Sequence, residues 1–532
     1  MLSKLMVLLL ASLLCTSVVA ETPFQQCPNS LQHPLRVKSS GWSRELEQTR
    51  NYTQLQAGLN AEDLPKLELQ WAFVFADTNQ PRSLPAITRD AIFIGSQEGA
   101  LWALDRESGC AYWRFQARKP IRNAVTVVDL DGSSFVVFGD DEGYAYGLNA
   151  LTGEQIWEIE LDDNPMAVIT GSAVYYDHYI YMPVSSFEVG AALNPWYNCC
   201  KFRGSINKLN IKTGERLWKS YTIPAEPAPS GRNSFGVMQF GASGAAVWSS
   251  PTIDVERQRI YFGTGQNYSS PADDNSDALH AIDLNTGERI WHTQFLSEDS
   301  WNPACGLGWL GTNCPEEKGR DYDIGTPPML ITHPSGEQLL VVGQKSGMLH
   351  AVDPQSGEKR WSKAIGRGGL IGGIHWGMAS DGDYAYVPMS DLDIWGAVTP
   401  GAPNPSLSKV DLDNGDVVWQ IPAIFDCNDE KGKAIKGCRN GLSAALTLIP
   451  GAVLSPGLDG VLRAHNPEDG SEIWRWDTKQ KVQGVNGLSG EGGTLDAGGA
   501  VVADGQLFIN SGYGGIISAG GRPGNVFLVF GL

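Results

Sequence analysis

The amino-acid sequence predicts an all-β protein, an eight-bladed β-propeller whose ring is closed by the N- and C-terminal strands. Three observations predict this fold: a hairpin unit that recurs along the chain, a Trp that ends each copy, and half a hairpin near each terminus. A ring of such repeats forms one large domain, so the 532 residues need not divide into the several domains that length alone would suggest.

The hairpin unit is clearest in residues 278–291, which read ALHAIDLNTGERIW. Apolar and polar residues alternate along both arms, which is typical of β-strands, and Gly287 supplies the positive φ of the turn between them. Other copies end at Trp113, Trp157, Trp218, Trp361, Trp419 and Trp474. We expect the Trp and Gly of each copy to pack between neighbouring blades, without a chemical role.

Half-hairpins lie near both ends of the chain. Residues 67–71 (LELQW) have the pattern of an outward arm without a partner, and residues 524–530 (GNVFLVF) have the pattern of an inward arm. Pairing these two arms would complete the eighth blade and remove the open sheet edges. The propeller is therefore assigned to residues 61–532, after a polar extension, 21–60, that is expected to run over the surface.

Residues 1–20 have the pattern of a secretory signal peptide. Lys4 precedes the apolar run from Leu5 to Leu14, and small residues lead to Ala20. No other apolar run approaches the roughly 20 residues that span a bilayer. The mature protein is therefore expected to be periplasmic or secreted, with no membrane span.

The cysteines also suit an oxidising compartment. One of the nine lies in the signal segment, which leaves an even number for disulfides. The pairs expected from loop length and elimination are Cys305 with Cys314, Cys427 with Cys438, and Cys27 with Cys110. Cys199 and Cys200 are adjacent and either bond elsewhere or form a strained ring with each other, a device seldom kept without use. The pairing of the other six favours the vicinal bond.

The spacing of the repeat Trp residues shows where extra chain is inserted. Trp71, Trp113 and Trp157 follow one another at about 40–45 residues, one four-stranded blade each, whereas the later intervals are longer. Excess length without its own secondary structure is commonly functional. The candidate site residues of these loops and of the strand ends beside them are Glu188, Cys199, Cys200, Trp248, Gln266, Asn267, Asp321, Asp323 and Lys345.

These residue types suggest the chemistry of the site. Carboxylates with an amide are ligands of a hard cation such as calcium, and a Lys beside them suits an anionic or carbonyl oxygen. Trp248 breaks the phase of the repeat and is therefore not expected to dock between blades. His375, in a Gly-rich loop, is a candidate for the wall of the site, although a structural role is favoured for it.

Several phrases of the sequence resemble the quinoprotein dehydrogenases that bind pyrroloquinoline quinone (PQQ), in particular the polyvinyl-alcohol-dehydrogenase branch. The resemblance covers nearly the whole mature chain, and its most specific phrases are NCCKFRGS at 198–205 and GGIHWGM at 372–378. Others are GTGQNYS at 263–269, RDYDIG at 320–325 and GQKSGMLHAVDP at 343–354. The resemblance implies an enzyme that oxidises a secondary alcohol, or a polyol such as polyvinyl alcohol, by hydride transfer to PQQ.

The resemblance also implies roles for individual residues toward the cofactor. A disulfide between Cys199 and Cys200 would cover one face of PQQ and Trp248 the other. Thr170 would lie at the rim of the cofactor, and Lys345 would bond the quinone oxygens. We expect these groups to fix the orientation of the flat ring.

The metal ligands and the base follow from the same resemblance. Glu188, which also lies beside the cofactor, and an amide would hold the metal, with Asp321 as its neighbour. The family's Asn after Gly-Thr-Gly falls on Gln266 here, so either that amide or Asn267 serves. Asp321 or Asp323 would take the alcohol proton as general base. Calcium is favoured as the metal, and two carboxylates within three positions also suit a lanthanide.

Two other functions fit parts of the sequence. A non-catalytic periplasmic scaffold for protein assembly would share the repeat but lack the loop residues, and a calcium- or sugar-binding propeller would leave the adjacent cysteines unexplained. The formal net charge of −19 and the absence of Lys/Arg runs argue against nucleic acid as a partner. No Cys-x-x-Cys-His motif for a c-type haem occurs, so electrons are expected to pass to a separate acceptor such as cytochrome c.

Overall fold

A computed structural model describes residues 22–76, 78–393, 399–425, 427–428, 431, 433, 435–515 and 520–532. The predicted signal segment lies outside the described residues. Within them the chain forms a ring of eight antiparallel blades, each built on four strands, which confirms the predicted fold.

The strands belong to the blades in chain order. Blade 1 consists of Val37–Ser39, Ala86–Thr88, Ala91–Gly95, Ala100–Asp105 and Ala111–Gln116, and blade 2 of Thr126–Leu130, Ser133–Gly139, Tyr144–Asn149 and Gln155–Glu160. Blade 3 consists of Ala167–Val168, Val174–Tyr176, Tyr179–Ser186, Ser205–Asn210 and Arg216–Tyr221, and blade 4 of Thr252–Asp254, Arg259–Gly263, Ala278–Asp283 and Arg289–Gln294. Blade 5 consists of Met329–Thr332, Gln338–Gly343, Met348–Val352 and Lys359–Ala364, and blade 6 of Ala379–Ser380, Tyr384–Met389, Ser406–Asp411 and Val417–Pro422. Blade 7 consists of Thr447–Ile449, Ala452–Pro456, Val461–His465 and Glu472–Asp477, and blade 8 of Val501–Ala503, Gln506–Ser511, Val526–Gly531 and Glu68–Val74.

Short elements lie outside the blades. The α-helices are Gln54–Ala57 and Glu188–Ala191, and the 3-10 helices are Leu64–Lys66 and Pro303–Leu310. Separate strand pairs join Ala228–Arg232 to Met238–Gly241, Ser243–Gly244 to Asn267–Ser269, and Lys481–Gln483 to Ser489–Glu491. None of the helices in the described part of the chain has the length and apolar character needed to cross a membrane.

The termini close the ring as predicted. Strand Glu68–Val74 pairs antiparallel with Val526–Gly531, with Trp71 opposite Val529. The side chains of the inner strand Val526–Gly531, among them Phe530, are buried in the core. Closure therefore leaves the eighth blade paired like the others, because its strands come from both ends of the chain.

Each repeat Trp packs onto the next blade. The indole nitrogens of Trp113 and Trp157 donate to the carbonyls of Ala150 and Ile211, in the turns of the following blades. The turn Gly287 has a φ of 73° and lies flat against the ring of Trp218. This confirms the structural role predicted for the repeat Trp and Gly residues.

Gly287→Ala is expected to lower the free energy of unfolding by about 2–4 kcal/mol. A Cβ at this position would lie 2.8 Å from the Trp218 ring and would also be strained at a φ of 73°. Gly132→Ala is the matched control, because its φ is 78° but no atom lies within 4 Å of the added Cβ. Chemical denaturation of both variants should show the larger loss in Gly287→Ala; equal losses would contradict the docking role.

The extension 21–60 lies over the surface in its first part, where residues 23–26, 28–30 and 32–34 are exposed, but most of residues 41–52 are buried or half-buried against the blades. Its backbone bonds to several blades in turn: Gly41 to Val125, Leu46 to Ile253, Glu47 to Leu330, Thr49 to Ser380 and Arg50 to Leu448. The fully buried Arg50 guanidinium donates to the carbonyls of Trp42, Leu446, Gly498 and Ala500. The extension also places isolated apolar side chains in the blade cores, among them Leu35 and Tyr52. Their spacing is irregular, so they give no periodic core pattern in the sequence.

Candidate active site

A cavity of about 320 Å³ lies where the inserted loops converge. The predicted residues that line it are Thr170, Trp248, Gln266, Asp321, Asp323, Lys345 and His375. Tyr268, Trp301 and Trp376 add aromatic walls. The loops that are longer than a blade requires therefore converge on one cavity. His375, for which a structural role was favoured, lines this cavity.

Trp248 is held firmly in the cavity. Its indole Nε1 donates to Asp323 Oδ2 at 3.0 Å, and its ring meets the ring of Trp376 edge-on at 5.1 Å. Gly325 lies directly against the indole, with no space for a Cβ. Trp376 in turn lies 6.4 Å from Trp42 of the N-terminal extension. Through Trp42, the extension therefore supports the two aromatic rings of Trp376 and Trp248 that line the site.

Two aspartates and a lysine form the polar centre of the cavity. Lys345 Nζ lies 2.9 Å from Asp321 Oδ1 and 2.8 Å from Asp323 Oδ2. Asp323 Oδ1 accepts from the backbone N–H of Gln266 at 2.8 Å. Asp323 Oδ2 thus positions both Lys345 and Trp248 while Oδ1 holds the Gln266 backbone. Asp321 Oδ2, in contrast, receives no hydrogen bond from the described residues.

Asp299 shapes the turn that presents Asp321. Its carboxylate accepts from the backbone N–H groups of Arg320, Asp321 and Tyr322 at 2.7, 3.1 and 2.8 Å. Asp321 itself has a φ of 61°, in the left-handed region. Such a backbone is retained only where surrounding contacts impose it, and it is typical of functional positions.

The electrostatics distinguish Asp321 as a proton acceptor. Burial raises the pKa of Asp321 well above its usual range, and the Lys345 ammonium offsets only part of that rise. Burial disfavours the charge of Lys345, but the Asp321 and Asp323 carboxylates outweigh it and raise the Lys345 pKa. A carboxylate with a raised pKa and a free oxygen suits general-base chemistry near neutral pH.

A second cation, Arg122, lines the cavity and was not predicted from the sequence. Its side chain is 9% exposed, donates to the hydroxyl of Tyr513 at 3.1 Å and lies over the ring of Trp376. No carboxylate among the described residues lies within ion-pair distance of it, and burial lowers its pKa. The Asp141 and Asp496 carboxylates act on Arg122 only from beyond direct pairing distance. A buried charge that lacks a direct partner is incompletely compensated, so the site suits an anionic ligand.

All four expected disulfides are present, which confirms the pairings. They join Cys27 to Cys110, Cys199 to Cys200, Cys305 to Cys314 and Cys427 to Cys438. The vicinal pair is fully buried in an apolar cluster with Ala246 and Tyr268, and these two residues line the cavity beside it. Direct contact between the disulfide and a cofactor remains a prediction.

The predicted metal ligands are only partly brought together. Glu188 is buried and accepts from the Tyr197 hydroxyl and from the backbone N–H groups of Lys201 and Phe202. The amide of Asn267 bonds to Ser243 and Asp273, outside the cavity, so the geometry favours Gln266 over Asn267. Among the described residues, no group of three or more His, Cys, Asp and Glu side chains could hold a metal ion.

The inserted loops of the propeller enclose an aromatic cavity with two buried cations and a positioned carboxylate, which has the features of a small-molecule site. The sequence matches the protein-family model described as "Outer membrane protein assembly factor BamB" over residues 42–267 and 275–423. The chain is 34% identical to a polyvinylalcohol dehydrogenase from Pseudomonas sp and 35% identical to one from Sphingopyxis sp. (strain 113P3). Both alignments cover 92% of this chain and 76% of the relative. The chain belongs to the quinoprotein alcohol dehydrogenases, in the polyvinyl-alcohol-dehydrogenase branch, and is an oxidoreductase of that class.

A solved structure supports the fold. The quinohemoprotein alcohol dehydrogenase from Comamonas testosteroni superimposes with a TM-score of 0.67 at 17% identity, over 95% of this chain and 81% of that one. At this identity the likeness is one of architecture. The two relatives confirm the family predicted from the sequence motifs. The solved structure confirms the propeller fold.

Proposed function

We propose that the protein is an exported dehydrogenase that oxidises a secondary alcohol, or a polyol such as polyvinyl alcohol, with PQQ as cofactor. The observation that carries this proposal is the buried Arg122 guanidinium, which lines the cavity without a carboxylate partner among the described residues. PQQ is a flat tricarboxylate that, when bound, accepts the hydride of the alcohol carbon.

The cavity has the chemistry that such a cofactor requires. Arg122 and Lys345 supply two buried cations for anionic or carbonyl oxygens, and Trp248 supplies a fixed aromatic ring. A volume of about 320 Å³ is at the lower end of the range for small-molecule sites. Thr170 adds a hydroxyl that bonds to Ser185 Oγ at 2.9 Å. The residues present therefore fit PQQ.

The residues of the chain can carry the proton step. Asp321 Oδ2 is free to accept the alcohol proton, while Oδ1 is held by Lys345. Asp323 holds the Lys345 ammonium and the Trp248 indole in place. Because all three polar groups are buried, their mutual interactions are stronger than they would be in bulk water.

Gln266 and Asp321 are the side chains that would hold a metal at the cavity. Calcium is favoured, because Asp323 is already engaged by Lys345, Trp248 and the Gln266 amide. A lanthanide would need a further carboxylate ligand, and Asp323 is not available because Lys345, Trp248 and the Gln266 backbone already bond to it. The metal would act as a Lewis acid toward a carbonyl oxygen.

Location and electron transfer complete the proposal. Four disulfides suit an oxidising compartment such as the periplasm, in agreement with the signal pattern predicted at residues 1–20. Electrons would pass to a separate acceptor such as cytochrome c.

Reconstitution tests the proposed function. The purified mature protein is incubated with PQQ and calcium, or with PQQ and a lanthanide, and alcohol-dependent reduction of an artificial dye is measured. We expect turnover with a secondary alcohol that depends on both PQQ and a metal. Absence of PQQ uptake with either metal would favour a non-catalytic scaffold, the function named in the description of the matching family model.

A further inference from the structure

Three loop segments, 189–200, 233–241 and 303–314, form a rim beside the cavity. Val189, Gly190 and Pro303 belong to this rim and also line the cavity, so rim and cavity are continuous. The rim nevertheless exposes large apolar side chains, namely Leu193, Trp196, Phe235, Leu307, Trp309 and Leu310. Contiguous exposed apolar surface next to a site commonly marks a binding surface.

The rim segments are held together by asparagine side chains. Asn233 Nδ2 donates to the carbonyl of Pro195 and to Asn313 Oδ1, both at 2.8 Å. Asn313 Nδ2 donates to the carbonyls of Ala192 and Asn194 at 3.0 and 2.9 Å. The surface is therefore organised before any ligand binds, which reduces the entropic cost of binding.

Aromatic rings form the exposed face of the rim. Trp196 is 66% exposed and stacks on Phe235, 45% exposed, with ring centroids 5.2 Å apart. Trp309, on the third segment, is 84% exposed. Exposed aromatic rings of this kind offer large apolar area with little conformational freedom to lose.

The three rim segments carry no formal charge, although two cations contact their edge: Lys201 Nζ lies 4.2 Å from the centroid of the Phe240 ring, and the Arg232 guanidinium donates to the carbonyl of Gly236. None of the three segments contains Asp, Glu, Lys or Arg, although 19% of the whole chain is charged. A charged redox protein is usually steered to an extended surface of complementary charge, whereas the exposed face of this rim is aromatic and its two cations lie at the edge. An uncharged partner with a hydrocarbon backbone matches the aromatic rings better.

We propose that the rim binds the stretches of a long, uncharged polymeric alcohol that flank the unit being oxidised. This inference rests on the proposed function and adds to it a binding surface outside the cavity. The cavity, of about 320 Å³, can hold the cofactor with only a short piece of such a polymer. The rest of the polymer chain must lie on the surface next to the cavity, where Trp196, Phe235 and Trp309 are exposed.

The test compares Trp196→Ala and Trp309→Ala with the wild type on two substrates. The holoenzyme is assayed with polyvinyl alcohol and with 2,4-pentanediol, a short diol that cannot reach beyond the cavity. We expect KM for the polymer to rise about fivefold to tenfold, with kcat/KM for the diol unchanged. Leu55→Ala is the matched control, because Leu55 is 89% exposed but lies outside the rim.

Binding without turnover separates this proposal from the proposed function. Apo protein is passed over immobilised polyvinyl alcohol by surface plasmon resonance, and both Trp variants should bind more weakly than wild type. Unchanged polymer binding in the Trp variants, or a fall in kcat/KM for the diol as large as that for the polymer, would overturn the rim as a polymer site even if the holoenzyme oxidises alcohols. Slower cytochrome c reduction with unchanged polymer binding would also overturn it and assign the rim to the acceptor.

Discussion

Asp321→Asn is expected to reduce kcat by about 10²- to 10⁴-fold, the range typical for loss of a general base. The amide has the same shape, and its oxygen can still accept from Lys345, but it cannot take the alcohol proton. Dye-linked turnover at saturating alcohol, with PQQ bound, measures this effect. Wild-type activity should fall on acidification above the range of an ordinary aspartate, because burial raises the Asp321 pKa.

Asp323→Asn serves as the informative comparison for that variant. Asp323 holds Trp248, Lys345 and the Gln266 amide, so its loss should weaken PQQ binding more than it slows the proton step. Asp131→Asn, at an exposed surface ion pair with Lys212, should leave activity unchanged. A larger fall in kcat for Asp323→Asn than for Asp321→Asn, with PQQ still bound, would reverse the assignment of the base.

Arg122→Met is expected to weaken PQQ binding by about 10²-fold or more, because one partner of a buried charge pair is removed. The apo protein should be at least as stable as the wild type, since a buried guanidinium with no directly paired carboxylate is replaced by an apolar side chain. Isothermal titration with PQQ measures the first effect and thermal unfolding of the apo protein measures the second.

Arg118→Met is the matched control for this variant. Arg118 forms a surface ion pair with Glu158 and is half exposed, so its replacement should change neither PQQ affinity nor stability appreciably. A strongly destabilised apo Arg122→Met with unchanged PQQ affinity would show that Arg122 has only a structural role.

The ring of blades was predictable because its signals are local. Each hairpin carries its own alternation, its turn glycine such as Gly287 and its terminal Trp, and these features repeat along the chain. Pairing of the termini followed from two half-hairpins. The extension 21–60 was not predictable in this way, because Arg50 and its neighbours satisfy backbone carbonyls of distant blades and leave no periodic pattern.

The candidate site was predictable where a motif marked it. Trp248, Asp321, Asp323 and Lys345 lie in phrases that resemble the family, and the fold brings them together. Arg122 carries no local signal, because only the ring geometry shows that it is buried in the cavity wall and not directly paired with a carboxylate. Two further features are visible only in the folded structure. Gln266 lines the cavity whereas Asn267 bonds outside it, and the Glu188 carboxylate accepts from backbone N–H groups.

The most direct test of the cofactor site is an equilibrium titration of PQQ into the purified protein, followed by Trp fluorescence. Trp248, Trp301 and Trp376 line the cavity, so binding there should quench their emission. We predict saturable quenching at one equivalent of PQQ in the presence of a metal, and a large loss of affinity in Arg122→Met. Absence of saturable binding with calcium and with a lanthanide, or affinity unaffected by that substitution, would contradict an anionic quinone site in this cavity.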